Sequence, residues 1–288
     1  MLLLKVHSST LLWISIIIIF LTSCSQKSSL PAGDIDNGGL FLPDKFEAVV
    51  VVDSIGRARH MAVNKNGDIY VKLTNAKQDA GIVALRDLGS DGKVDSITYG
   101  IYTSHIGKTL AFDDDGHMYV NFGSLTNNCQ IDDRTPESPG QYPCPEFAKH
   151  AGIWRFDAKK LNQSQDDGVR YATGLRDGIA MDWNHATNSL FVVEHGRDQL
   201  HQHWPSLYSE WENAMLPSEE FFEVKEGMNG GWPYYYYDQL QNKKVVSPEY
   251  RGVDLSEVDV PQNPIIGFPG HWAPNDLFFY TGNQFPDR

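Results

Sequence analysis

The chain has 288 residues, 41% of them hydrophobic and 21% charged, which excludes a disordered chain and allows one large or two modest domains with a sizeable core. Acidic residues outnumber basic ones 37 to 24, for a net charge of −13; that excludes nucleic acid as a partner, since its phosphates demand a basic face. The 25 Gly, 15 Pro, 14 Phe, 13 Tyr and 7 Trp favour short strands and turns over long helices. An anionic ligand then has to be held by a few local Arg or Lys residues, or by a cation.

Residues 1–23 read as an export leader. Lys5 and His7 precede the apolar run Leu11–Leu21, which fits a signal-peptide core and is short for a membrane span. The tetrapeptide Leu21-Thr22-Ser23-Cys24 resembles a bacterial lipoprotein cleavage box, in which Cys24 becomes the lipidated first residue. An ordinary secretory signal with an incidental cysteine is the alternative. On the lipoprotein reading, residues 24–40 are a polar tether and 41–288 the folded body, anchored in the cell envelope by lipid and facing the periplasm or the exterior.

Three segments of the body share one form, an apolar strand, a tight Asp/Asn/Gly turn and a second apolar strand: His60–Leu73, Thr109–Gly123 and Gly178–Gly196. Met61/Val63 and Ile69/Val71 alternate toward one side of a sheet. The turns Lys65-Asn66-Gly67 and Asp114-Asp115-Gly116 carry Gly where a hairpin needs positive φ. Asn275–Thr281 reads as a fourth, cut-off copy. Tyr70 and Tyr119 stand 49 positions apart, and Tyr119 and Phe191 stand 72 apart. Such spacing predicts propeller blades, with an irregular β-sandwich as the alternative, and spacing alone leaves that choice open.

Cys129 and Cys144 bracket a Pro-rich polar loop. In the oxidising compartment that an exported chain meets, this pair is expected to form a disulfide, and closing a loop of that length is worth up to ~3 kcal/mol. No CxxC or Cys/His zinc spacing occurs. His201 and His203 lack an evident third ligand and read as loop residues. Helix is confined to Pro205–Ala214, and Glu219–Glu226 suits a strand equally well.

Several stretches, in order, resemble the soluble PQQ-dependent sugar dehydrogenases, particularly the sorbosone and glucose dehydrogenase-like lipoproteins. They are Ser104-His105-Ile106-Gly107-Lys108 with the hairpin that follows, Tyr171-Ala172-Thr173-Gly174-Leu175-Arg176-Asp177, Glu194-His195-Gly196-Arg197-Asp198, Asn229-Gly230-Gly231-Trp232-Pro233 and Ile266–Phe285. The resemblance covers most of residues 45–286. It implies an all-β, six-bladed propeller with pyrroloquinoline quinone (PQQ) on one face. It also implies oxidation of an aldose or related sugar by hydride transfer to that quinone, with electrons leaving to an external acceptor, a cytochrome or quinone. Since the family's chain continues beyond the equivalent of Phe285-Pro286, the sequence is expected to hold roughly four blades and part of a fifth.

Removing a sugar hydroxyl proton as hydride leaves carbon calls for a base near neutral pKa, and histidine is the natural choice. The resemblance assigns that role to His105. PQQ is planar and carries carboxylates, so it needs guanidinium partners. Arg176 matches the family arginine beside the quinone and is suited to stabilising charge on its oxygen. Asp177 stands where relatives commonly have Asn, and places a carboxylate beside an anionic cofactor. Gly196 and Arg197 match the loop whose backbone carbonyls hold Ca²⁺ beside the quinone, a hard cation suited to carbonyl oxygens; Arg197 replaces a Pro of some relatives. The aromatic cluster Trp232–Tyr237 reads as blade packing, and His271-Trp272 either lines a substrate mouth or braces a loop.

Two other classes compete on sequence grounds. A non-catalytic surface propeller that binds a glycan or protein would keep the hairpins without needing His105, Arg176 and Gly196 to converge. A propeller sugar lactonase would need a central Glu/Asn/Asp cage, which the sequence does not supply in a recognisable form.

Overall fold

The computed structural model describes residues 31–78, 80–100, 107–160 and 163–281. The leader, Cys24 and His105 lie outside the described residues. The chain divides into two compact units, Met1–Val50 with Ser90–Gly92, and Val51–Gly89 with Lys93–Arg288. In the first, a 3-10 turn at Asn37–Gly39 is capped by the Asp36 side chain, and the Val50 N–H donates to the Asp34 carboxylate at 2.6 Å.

The second unit is built of antiparallel sheets. Strands β1 (Ala58–Val63), β2 (Ile69–Lys77), β3 (Ala80–Arg86) and β4 (Ser96–Gly100) form the first sheet in sequence order. Strands β5 (Gly107–Phe112), β6 (His117–Phe122), β7 (Gly152–Asp157) and β8 (Val169–Thr173) form the second. The third runs β9 (Gly178–Asn184), β10 (Ser189–Glu194), β11 (Glu219–Val224) and then β15 (Ile266–Phe268). Between β11 and β15 the chain makes β12 (Met228–Asn229), which adds parallel to β8, and the hairpin β13 (Tyr235–Asp238)–β14 (Lys243–Val246). Helix is limited among the described residues to 3-10 turns and two short segments, α1 (Leu200–His203) and α2 (Glu210–Met215). The Ser209 side chain caps α2 and Glu212 completes a capping box, so the helix starts at Glu210 and not at Pro205.

The second sheet is apolar on both faces because it has a sheet on either side. Leu110, Phe112, Met118, Val120, Phe122, Trp154 and Phe156 of the second sheet pack against Tyr70, Ile82 and Ala84 of the first. The alternate residues Ala111, Tyr119, Ile153 and Ala172 pack against Met181, Trp183, Leu190, Val192, Phe222 and Val224 of the third. Face-to-face stacking of four-stranded meanders is how propeller blades bury their period-two patterns. Met61 and Val63 sit directly opposite Val71 and Ile69, on one side of the sheet as the alternation predicts. The innermost strand β5 lies beside both β1 and β9; the cleft among the three, lined in part by His60, Leu110, Phe112 and Met181, holds about 530 Å³.

The architecture is an all-β propeller. The described residues form three sheets of four or five strands and the two-stranded β13–β14 sheet. The long connections 123–151, 195–218 and 225–265 absorb the remaining length, and Asn275–Thr281 has no strand pairing. Glu219–Val224 resolves as strand β11. The β1–β2, β5–β6 and β9–β10 turns sit at one end of their hairpins, and the connections 123–151 and 195–218 leave from the other. The candidate site residues lie on that second end.

Candidate functional site

Arg176 lies in the tight connection from β8 to β9. Gly174 turns the chain there with φ 71°, and a Cβ on it would meet Asn229 Oδ1 at 2.2 Å and the Gly231 nitrogen at 2.6 Å. Only glycine fits both the φ and the close approach. The Gly230 N–H donates to the Thr173 carbonyl at 2.9 Å and the Trp232 N–H to the Gly174 carbonyl at 3.0 Å. The Asn229–Pro233 motif is therefore a brace for the arginine loop, a role its composition did not suggest.

With the loop fixed, every nitrogen of Arg176 finds an oxygen. The backbone N–H donates to Glu194 Oε1 at 2.7 Å. Nε donates to the Asn127 carbonyl at 3.1 Å, Nη1 to the Gly196 carbonyl at 2.6 Å and Nη2 to Asp198 Oδ2 at 3.0 Å. The side chain keeps 12% exposure, so the guanidinium is oriented but still reaches the surface.

Asn127 joins the second blade to this turn. Its carbonyl accepts from Arg176 and also from Trp232 Nε1 at 3.0 Å. Its side chain pairs with the peptide of Asp198, Nδ2 donating to the carbonyl at 3.0 Å and Oδ1 accepting from the N–H at 2.9 Å. Cys129 and Cys144 are joined in a disulfide within the connection 123–151, which also carries Asn127. In the same loop, Glu146 accepts from the Leu125 N–H at 2.6 Å and from the Thr126 hydroxyl.

Carboxylates dominate the electrostatics. Burial alone would raise Asp198, but Arg176 and Arg134 outweigh it and hold the group below the ordinary carboxylate range. Glu194 moves the other way: burial, and then the neighbouring Glu220, raise it well above that range. Its Oε2 has no hydrogen-bond partner. Glu220, opposite Glu194 across β10 and β11, is raised by burial and opposed by Lys244, which it pairs with. Glu219 is also raised by burial, although the Gly196 N–H donates to its Oε2 at 2.9 Å and the Ala273 N–H points at the same carboxylate.

The structure brings Arg176 and Gly196 together, and Asp177 adjoins them with its carbonyl accepting the His195 N–H at 3.0 Å. The Arg197 side chain does not join them. It is 3% exposed and turns inward to a fully buried ion pair with Glu249, while Nη2 meets His203 Nδ1 at 3.3 Å. Buried charge must stay paired, so the Arg197 guanidinium is committed to Glu249, while its backbone remains in the turn. His203 is held below the ordinary imidazole range by burial and by Arg197. Sequence reasoning missed Asn127, Asp198 and Glu219. Asp198 closed a motif already singled out but was given no role there, and the doubled glutamate opening an apolar strand was a visible anomaly for Glu219.

The donor chemistry fits the groups implied by the sequence resemblance. A planar polyanion needs an oriented cation, and Arg176 is one, set by three oxygens. A calcium ion needs hard oxygen ligands. The Gly196 carbonyl has a second lone pair beyond the one Arg176 takes, Asp198 and Glu219 bring carboxylates to the same turn, and the buried Oε2 of Glu194 stands without a partner. Among the described residues no helix is long and apolar enough to cross a membrane.

A sequence profile of the Glucose / Sorbosone dehydrogenase family matches residues 95–287. No protein of curated function matches the sequence. Among solved structures, the chain is similar to a calcium structure of a Trichoderma reesei protein of Carbohydrate-Active Enzymes Family AA12, with TM-score 0.62 and 18% identity, over 84% of this chain and 65% of that one. An iodide structure from the same organism and family gives TM-score 0.62 at 19% identity, over 84% and 65%. A glucose dehydrogenase crystal structure gives TM-score 0.50 at 15% identity, over 78% and 62%. At these identities the likeness is one of fold. The chain spans about two thirds of the length of these proteins.

Proposed function

The chain belongs to the glucose/sorbosone dehydrogenase family, and from that premise we propose that it oxidises an aldose or related sugar with PQQ as hydride acceptor and Ca²⁺ as an accompanying cation. The observation that carries the proposal is the Arg176 guanidinium, aimed by Asn127, Gly196 and Asp198 in a turn rich in hard oxygen donors. When bound, the quinone accepts the hydride and the cation makes it a better acceptor.

The protein's own residues supply the rest. His105 is proposed as the base that takes the hydroxyl proton. Arg176 orients the cofactor and balances negative charge that develops on it. Gly196 and the carbonyl of Arg197 are the proposed cation ligands, with Asp198 and Glu219 next to them. Glu194 holds the Arg176 loop by accepting its backbone N–H. Asp177 adjoins the turn as a further proposed cofactor contact. We also propose a lipid anchor at Cys24, a position in the cell envelope and a cytochrome or quinone as electron acceptor; these rest on the leader sequence and on the family.

The test is reconstitution of the chain with PQQ and Ca²⁺ and an assay of aldose-dependent dye reduction, repeated with His105→Ala. Activity in the parent with loss in the variant is expected. An inactive parent, or a variant as active as the parent, contradicts the proposal.

A further inference from the structure

We infer that Trp272 is a stacking platform for the pyranose ring at the rim of the Arg176 site, an inference that rests on the sugar dehydrogenase reading. Its indole is 68% exposed, a large apolar face left in water. The exposure is not that of a loose segment. Phe268 stacks against the indole with centroids 6.2 Å apart and planes 16° apart. The residues around it are tied down: the Gly270 N–H to the Met215 carbonyl at 3.0 Å, His271 Nε2 to the Asn213 carbonyl at 2.8 Å, and the Pro274 carbonyl to His195 Nε2 at 2.8 Å.

The backbone on both sides of the indole is strained. His271 has φ 62° and Ala273 φ 49°, left-handed values that are unfavourable for a residue with a Cβ. The loop keeps two such residues in sequence around one exposed tryptophan. Strain of this kind persists only where the surroundings over-determine it, and here four anchored neighbours do so.

The anchors also locate the indole. His195 precedes Gly196, and Glu219 receives the Gly196 N–H while facing the Ala273 N–H. His271 is close enough to act on the charges of both Asp198 and Glu219. Trp272 therefore stands between two residues that contact or sense the site turn. One indole face is against Phe268 and the other is open. A pyranose presents an apolar C–H face ringed by hydroxyls, which matches an open aromatic face beside hydroxyl acceptors such as Asp198 and Glu219. Trp272 is a positioning residue in this account: it sets where the sugar lies and takes no part in proton or hydride transfer.

The experiment pairs kinetics with a readout that needs no turnover. In the PQQ-loaded protein, Trp272→Ala is expected to raise the KM for D-glucose about tenfold, with kcat and PQQ affinity within about twofold of the parent, and Trp272→Phe to recover most of the loss. In cofactor-free protein labelled with 5-fluorotryptophan, the Trp272 resonance is identified by its disappearance in Trp272→Phe. D-glucose titration is expected to shift that resonance saturably. An unchanged KM in Trp272→Ala overturns the inference, as does a Trp272 resonance indifferent to glucose. If the parent reduces no dye with any aldose, the dehydrogenase reading fails, and the fluorine titration still decides whether Trp272 binds sugar.

Discussion

Nη1 of Arg176 donates to the carbonyl oxygen of Gly196 at 2.6 Å, which makes one unit of the two residues expected from sequence to hold the cofactor and the cation. The guanidinium is not a free arm waiting for an anion. It is a crosslink among the β8–β9 connection, the turn after β10 and the Asn127 loop of the neighbouring blade, with one edge left toward solvent.

Arg176→Ala accordingly removes both charge and crosslink. It strips donors from the Asn127 and Gly196 carbonyls and from Asp198, and a buried acceptor left short costs ~1–3 kcal/mol. A PQQ titration is expected to show at least about tenfold weaker binding, and urea unfolding a lower midpoint. Arg176→Lys is expected to recover little, because one ammonium cannot reach three oxygens in a planar fork. Parent-like PQQ affinity in the Lys variant contradicts the crosslink.

Glu194 sets a pH dependence of stability. Its folded pKa lies above the unfolded value, raised by burial and then by Glu220, so the native state holds more protons across that interval. Stability is then greatest below the unfolded carboxyl range and falls as pH rises toward the raised folded pKa. Glu194→Gln resembles the protonated acid and is expected to flatten this slope while keeping an acceptor for the Arg176 N–H. Glu194→Ala is expected to destabilise at every pH. Urea midpoints at about pH 5 and about pH 8 for the three proteins measure the difference, and a parental slope in the Gln variant contradicts the assignment.

The disulfide should matter to the site as well as to stability. Cys129 and Cys144 are 15 positions apart, and a loop of that size is worth ~3 kcal/mol in the chain-entropy model. Asn127, which meets Arg176 and Asp198, stands two positions before Cys129. Replacing both cysteines by serine is expected to lower the melting temperature and to weaken PQQ binding together. A variant that melts lower yet binds PQQ as the parent does would separate the two.

Arg197 and Glu249 test where structure departs from sequence. Their side chains are 1% and 0% exposed, and Trp204 Nε1 and Asn128 Nδ2 also donate to Glu249, at 3.0 and 2.9 Å. Breaking such a pair from one side costs ~3–5 kcal/mol. Glu249→Ala is expected to lose that much in urea unfolding, and Arg197→Met with Glu249→Leu to regain a substantial part of it. Additive losses in the double variant contradict a coupled pair.

The sequence made local features legible and hid the non-local ones. Gly67 and Gly116 both take φ 90°, so the hairpin turns followed from residue chemistry alone, and the apolar alternation around them gave the blades. Arg176 and Gly196 were visible through family resemblance. Asn127 was not, because its importance comes from meeting Asp198, 71 positions away, and nothing in an isolated asparagine announces that. Burial reverses the meaning of charge in the same way. Nothing in the sequence marks Arg197 and Glu194 as buried, and both are enclosed in the fold.

The most direct measurement is a titration of the chain with PQQ in the presence of Ca²⁺, followed by quinone absorbance, with an aldose then added and no dye present. The account predicts saturable binding at one PQQ per chain, lost in Arg176→Ala, and bleaching of the bound quinone on addition of the aldose. Absence of PQQ binding, or a bound quinone that no aldose bleaches, contradicts it.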